Sequence, residues 1–189
     1  MTSIAERLLT ADEFHLLPDD PDGRTMELLD GRVVYMSAPG EEHSDIAFSV
    51  LVPFTTFVGA HHLGKVRNDV GFRIRSDPDR VVSPDASFVA YDRLAPDRDR
   101  TKAFQAAPNL AVEIVSPTDV ESEVDAKAIE YLAAGSERVW VIRPIPRTVA
   151  VHRPGGDSRT YTVEDTLTSD DAGFAVDGFA LPVAGIFES

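Results

Sequence analysis

The sequence has no cysteine among its 189 residues. That excludes disulfides and any zinc or iron–sulfur centre held by thiolates. It also lacks a long apolar run. No stretch could span a bilayer, and the opening MTSIAERLLTADEF has neither the basic region nor the long apolar segment of a secretory signal. The expectation is a soluble cytoplasmic protein with no membrane partner. Positive charge is scarce: 18 Lys and Arg face 32 Asp and Glu, a formal net charge of −14. Such a balance works against loose attraction to nucleic acid or to anionic membrane. The excess acidity lies at the two ends, however. Residues 1–30 carry 8 acidic and 2 basic side chains, and residues 154–189 carry 7 and 1. The middle, 31–153, has 17 acidic and 15 basic residues, so a site built there is not governed by the overall charge.

What is present is ordinary for a globular chain: 43% of residues are hydrophobic and 26% charged. The length suits one domain over 1–189 with a full-sized core. Thr10-Ala11-Asp12-Glu13 has the form of a helix capping box, opening a short helix that stops near Pro18. MELLDGRVVYM reads as two strands joined at Asp30-Gly31, a strong hairpin signal. From Glu42 to Gly59, Ala47, Val50, Phe54, Phe57 and Val58 recur at helical spacing, and Pro53 should kink that helix. KVRNDVGFRIRS (65–76) alternates as one half-buried strand, with Lys65, Arg67, Arg73 and Arg75 on its polar face. VVSPDASFVAY (81–91) reads as another strand and APDRDRTKAF as a polar loop or helical turn; Arg93, Arg98, Arg100 and Lys102, interleaved with acids, read as solvated. A strand at 110–116 then leads into a helix that Gly135 can end. Strands at 137–143 and 147–153 follow, with weaker strand signals at 159–163 and near the C-terminus. Frequent strands with two intervening helices predict one α/β (α+β) domain on a mostly antiparallel or mixed sheet.

Within this pattern NLAVEIVSPTD (109–119) raises a physical problem. Leu110, Ala111, Val112, Ile114 and Val115 form an apolar run that reads as a strand buried on both faces, and Glu113 sits at its centre. An unpaired buried carboxylate costs several kcal/mol or more, so Glu113 needs a cation, a metal, or a task that uses a perturbed pKa. Two other residues stand out. Asp85 follows Pro84 in an apolar neighbourhood, and Lys127 falls in the inward stripe of Val120, Val124, Ala128 and Tyr131 on the next helix. Two acids and a lysine suit metal-assisted phosphodiester hydrolysis. The same residues also fit blander roles. Glu113 and Lys127 can form a buried ion pair, Asp85 can be a turn or strand-edge residue, and Lys127 can snorkel to solvent. Tyr131 could orient Lys127 or simply pack. His61-His62 reads as surface polarity, Trp140 as core or interface, and Gly155-Gly156 as a turn.

PDASFV, PNLAVEIVSPTD and KAIEYLAAGSERVWVIRP, in that order and spacing, are similar to the successive motifs of the Uma-two endonuclease-like family. This family of restriction-endonuclease type is a branch of the PD-(D/E)XK nuclease superfamily. MELLDGRVVYMSAPGEEH, RTVAVHRPGG and DGFALPVAGIF resemble it as well, so the likeness runs from about residue 10 to the end. It implies the restriction-endonuclease-like fold: a twisted mixed sheet flanked by helices, with an added N-terminal β-hairpin. It implies further that Asp85 and Glu113 ligate Mg²⁺ (or Mn²⁺) with the backbone carbonyl of Ile114. Val115 stands where the superfamily's usual lysine would fall, and Lys127 matches the variant in which the next helix supplies it. Glu27 matches an acid expected near the metal. His43 matches a histidine at a helix start, with no role assigned.

The activity implied is hydrolysis of DNA by a metal-activated water, leaving a 5′-phosphate and a 3′-hydroxyl. His43, Arg73 and Arg75 are candidate substrate contacts, the two arginines through the basic strand face; as an alternative, that face is the solvated side of an edge strand. A homodimer is expected, since two symmetry-related sites cut two strands most simply. Two other readings share the residues. One is a non-catalytic module on the same fold that binds nucleic acid or protein. The other is a metal-dependent phosphoesterase acting on small nucleotides, which would have a closed pocket.

Overall fold

The computed structural model describes residues 7–117 and 119–188. Helix α1 (Ala11–His15) opens on Thr10, with both hydrogen bonds of the expected capping box present. Strands β1 (Met26–Leu29) and β2 (Arg32–Tyr35) pair antiparallel around Asp30 and Gly31, whose φ values of 55° and 76° are those of a type I′ hairpin turn. Helix α2 (Glu41–Ala60) is a single helix with Pro53 inside it. Its buried residues Ile46, Ala47, Val50, Phe54 and Val58 lie along one stripe, the reason the segment docks as a helix.

Next come β3 (Gly64–Arg67), β4 (Phe72–Arg75), β5 (Arg80–Val82), β6 (Ala86–Ala90) and β7 (Leu110–Ile114). Helix α3 (Glu121–Ala133) then crosses to β8 (Arg138–Arg143), and β9 (Thr148–His152) and β10 (Ser158–Tyr161) follow. The chain closes with β11 (Thr166–Thr168), α4 (Ser169–Ala172), β12 (Ala180–Pro182) and α5 (Val183–Ile186). The central sheet has the order β10-β9-β8-β7-β6-β3. It is mixed: β7 and β8 run parallel, joined by α3, and the other neighbours are antiparallel. A second sheet, β2-β1-β5-β4, holds the N-terminal hairpin, and β11 pairs with β12. No helix among the described residues is long and apolar enough to cross a membrane.

Two expected strands are corrected. The segment 65–76 is not one strand but two, β3 and β4, which belong to different sheets. The chain turns at Asn68-Asp69, where Asp69 adopts a φ of 48°, and at Gly71, where a Cβ would meet Ala103 and Val81 at 3.2 Å. Asp tolerates the left-handed region through local hydrogen bonding, so the turn hides inside an alternating pattern. Lys65 and Arg67 therefore share no strand face with Arg73 and Arg75. The segment 81–91 divides likewise into β5 and β6 around Pro84, which has no N–H to give a ladder.

The pleat of the central sheet decides what each helix covers. In β7 and β8 the residues Leu110, Val112, Ile114, Trp140 and Ile142 face one way and pack with the stripe of α2. Phe54 meets Trp140 edge-on at 5.2 Å, while the Trp140 indole N–H donates to the Asp171 carbonyl at 2.7 Å. Ala111, Val139 and Val141 face the other way and pack with Ala128 and Tyr131 of α3. Glu113 has the parity of Ala111 and lies opposite Val141, so it enters the α3 layer.

Candidate active site

Four elements meet around Glu113. Strand β7 supplies Glu113, α3 supplies Lys127 and Tyr131, β1 supplies Glu27, and the link between β5 and β6 supplies Ser83 and Asp85. Lys127 and Tyr131 are four residues apart on one helix face, so both reach the same carboxylate. The Lys127 ammonium donates to Glu113 Oε2 at 3.0 Å and to Glu27 Oε1 at 3.1 Å. Tyr131 donates its hydroxyl proton to Glu113 Oε1 at 2.8 Å. Glu27 also accepts the Ser83 N–H at 2.9 Å, just past the end of β5 in its own sheet, and the Lys127 ammonium links it to Glu113 of the central sheet. The Glu27 side chain is 6% exposed, Glu113 13% and Lys127 16%.

Asp85 occupies the adjoining corner. The β6–β7 register, Ala86 opposite Val112, continues one step to place Asp85 opposite Glu113. Its Oδ2 accepts the Ile114 N–H at 2.7 Å, and its Oδ1 lies 2.9 Å from His43 Nε2 at the start of α2. The other ring nitrogen of His43 is 3.4 Å from the Ser116 hydroxyl.

The electrostatics follow from crowding acids around one ammonium. Burial pushes the Glu113 carboxyl up to about 7, and the charges of Asp85 and Glu27 add to this against the pull of Lys127. Burial alone would push Lys127 down, but Glu113 and Glu27 outweigh it and hold the ammonium above its ordinary range. The Tyr131 hydroxyl is raised by burial and then by Glu113 and Glu27, so it remains a donor. The hydrogen bond to Asp85 raises His43, opposed by burial and helped by the charges of Asp69 and Asp119.

The structure thus brings Glu27, Glu113 and Lys127 together by direct contacts and sets Asp85, Ile114 and His43 beside them. Arg73 and Arg75 are engaged elsewhere. Arg73 donates to Asp79 at 2.6 Å, and Arg75 pairs with Asp30 and lies 3.7 Å from Glu130. Three contributors were invisible to sequence reasoning. Ser83 acts through its backbone. Ser116 stands at the loop after β7. Asp69 lies in the turn that splits 65–76, close enough to Asp85 for the two charges to act on each other. Tyr131 was legible as a neighbour of Lys127, but nothing in its spacing marked it as a donor to Glu113.

A family model described as "Putative restriction endonuclease", Uma2, matches residues 11–184. The chain belongs to that family. A solved structure described as "a putative nuclease belonging to DUF820", from Anabaena variabilis, shares the Uma2 chain's fold with a TM-score of 0.77. The two are 23% identical over 95% of this chain and 97% of that one, which establishes the fold. No curated protein matches this Uma2 chain.

Proposed function

We propose that the chain is a divalent-metal-dependent DNA endonuclease, with Asp85 and Glu113 as metal ligands, Lys127 as the cationic group of the reaction, and Glu27 beside the metal. The observation that carries this reading is the surplus of negative charge around Glu113. Two carboxylates share one ammonium, Asp85 stands beside them against His43, and burial together with the charges of Asp85 and Glu27 holds the Glu113 carboxyl near 7. Carboxylate oxygens are the donors that Mg²⁺ and Mn²⁺ take. The donor chemistry therefore fits the ion, although among the described residues no three His, Asp or Glu are already spaced to hold one. The Ile114 backbone carbonyl completes the ligand set in this reading. When bound, the ion would offset charge on the scissile phosphate and lower the pKa of the attacking water.

The chain's own groups divide the remaining work. Lys127 stays protonated through neutral pH, so it is no general base. It acts by donating hydrogen bonds that position the water or stabilise charge on a phosphate oxygen. Tyr131 holds one oxygen of Glu113 and thereby the orientation of the carboxylate. His43 fixes one oxygen of Asp85 and stands at the rim of the site as a candidate contact for substrate. Arg73 and Arg75 would reach a phosphate only by leaving Asp79 and Asp30. Water attacks phosphorus in line and gives up a proton to solvent, the bond to the 3′ oxygen breaks, and that oxygen takes a proton from solvent, giving a 5′-phosphate and a 3′-hydroxyl. A homodimer would supply two such sites, one per strand.

Calorimetric titration of Mn²⁺ and Mg²⁺ into the wild type, Asp85→Asn and Glu113→Gln tests the reading. Saturable binding that both substitutions abolish is the expected result. Folded protein that binds neither ion would overturn it and leave Glu27, Glu113 and Lys127 as a structural ion network. Sedimentation of the same samples reads the oligomer.

A further inference from the structure

The arginines and lysines of the 93–102 segment do not merely dissolve into solvent. With β3 they line a cavity of about 830 Å³, to which Lys65, Arg67, Arg93, Arg98, Arg100 and Lys102 contribute six cations against the three acids Asp12, Asp97 and Asp99. Some of this charge is cancelled. Lys102 pairs with Asp12 at 2.8 Å, and Arg93 with Glu137 at 2.8 Å. Asp99 is turned onto the Thr101 N–H and hydroxyl at 3.0 and 2.7 Å. What remains is Lys65, which lies over the Tyr91 ring at 5.7 Å, and three guanidinium ions, beside the acids Asp97 and Asp99. Arg67 donates to the Val66 carbonyl and Arg98 to the Ala95 carbonyl, and no described carboxylate stands within ion-pair distance of Arg67, Arg98 or Arg100. Burial first, then the charges of Arg98 and Arg100, lower the Arg67 pKa, so the three feel one another. A solvated edge strand needs no such gathering from two distant segments. In a chain of net −14, a local positive surplus has an anion as its natural occupant.

The cavity also adjoins the carboxylate site. Arg67 is paired with Ser87 in the β3–β6 ladder, and Ser87 is two residues from Asp85. Two residues along a strand span about 7 Å. The ring of Phe104 borders the same cavity, with Arg98 over it at 5.8 Å.

We propose that this cavity holds the phosphate backbone of the DNA whose scissile bond lies at Asp85 and Glu113, with Arg67, Arg98 and Arg100 as phosphate contacts. The proposal rests on the nuclease reading for its class of ligand and adds the surface that positions the strand. Phosphate contacts fix register without reading sequence, so the contribution is independent of the bases. It also gives the acidic chain a salt-sensitive grip.

The test is the anisotropy of a fluorescent duplex in EDTA, measured from 50 to 200 mM salt, for the wild type, Arg98→Ala/Arg100→Ala and Arg98→Lys/Arg100→Lys. Losing two phosphate contacts should lower the slope of log K against log salt by about 1.8. Over that fourfold salt range the wild type should then weaken about twelvefold more than the alanine variant. The lysine variant should keep the wild-type slope, whereas a structural role for the arginines would move affinity without moving the slope. Unchanged salt dependence in the alanine variant overturns the proposal, as does a wild type that binds no duplex. Mn²⁺ titration of the wild type and the alanine variant separates the two readings: a wild type that binds no Mn²⁺ sinks the nuclease reading alone, while arginine-dependent duplex binding stands, and an alanine variant that binds Mn²⁺ as the wild type does shows that a changed slope is not a lost metal site.

Discussion

Replacing Glu113 with glutamine removes the residue at the centre of the site, yet the metal-free variant should gain stability on wild type as pH rises through neutrality. The Glu113 carboxyl rises from an ordinary 4.5 to about 7, through burial first and then the charges of Asp85 and Glu27, against the pull of Lys127. A carboxyl raised on folding holds its proton more tightly in the native state than in the unfolded chain. Its contribution to stability is therefore complete below pH 4.5, shrinks between 4.5 and 7, and is lost above 7. The interval from 4.5 to about 7, at 1.36 kcal/mol per pH unit, amounts to roughly 3 kcal/mol. Glutamine stays neutral and escapes that loss, while its N–H₂ group cannot accept from Lys127 or Tyr131 as the second Glu113 oxygen does, a cost that is the same at every pH. Relative to wild type, Glu113→Gln should therefore gain about 2–3 kcal/mol between pH 5 and pH 8. For a chain of this length that gain corresponds to a relative rise in Tm of roughly 4–12 °C. Urea and thermal unfolding, followed by circular dichroism in EDTA across this pH range, measure the gap. Carboxylates elsewhere titrate in both proteins and cancel in the difference. A gap that does not change with pH, or that moves in the wild type's favour as pH rises, would refute the reasoning.

Lys127→Met should act in the opposite direction. It leaves Glu27 and Glu113 without their shared cation, and breaking such a buried pair costs about 3–5 kcal/mol. The loss should be smaller at pH 5, where Glu113 can take a proton, and unfolding curves at pH 5 and 8 would show whether it is. Gly64→Ala tests the edge of the central sheet. A Cβ at Gly64 would lie 2.2 Å from the Val89 carbonyl and 2.8 Å from Ala90 Cα, both backbone atoms that cannot swing away. A loss of about 1–3 kcal/mol is expected, and a melt unchanged from wild type would show that β3 is not held so closely to β6.

Much of the fold was legible because the strongest local signals agree with the tertiary structure. The Thr10 capping box, the Asp30-Gly31 hairpin and the apolar stripe of α2 each depend on a few adjacent residues, and each formed as expected. The misreadings share one physical cause. At 65–76 and 81–91 the alternation of side chains continues through a change of sheet, and pleat parity carries no record of which neighbour a strand pairs with. The signals that could have divided them are single residues, Asp69 with its left-handed backbone and Pro84 with its missing donor. Strand β11 and helix α4 were overlooked for another reason. They are three and four residues long, too short for either period to register.

The candidate site was legible where it obeys a period and illegible where it depends on a turn. Glu113 declared itself by parity, as the one charge in a run buried on both sides, and Lys127 by falling inside an apolar helical stripe. Glu27 came only through family resemblance, since nothing in a hairpin strand predicts a reach across to another sheet. Such a cluster is poor design for stability alone. An apolar replacement of similar volume often does as well as a buried ion network or better, and here the acids outnumber the base. A structural pair would need one acid for Lys127. The other of Glu27 and Glu113 adds repulsion, and so does the charge of Asp85, itself held by His43 and the Ile114 N–H, so Glu113 is raised and not relieved. Charge held at a cost to the folded state, on rigid strands and beside a protonated lysine, is what a cation-dependent reaction centre needs before its cation arrives.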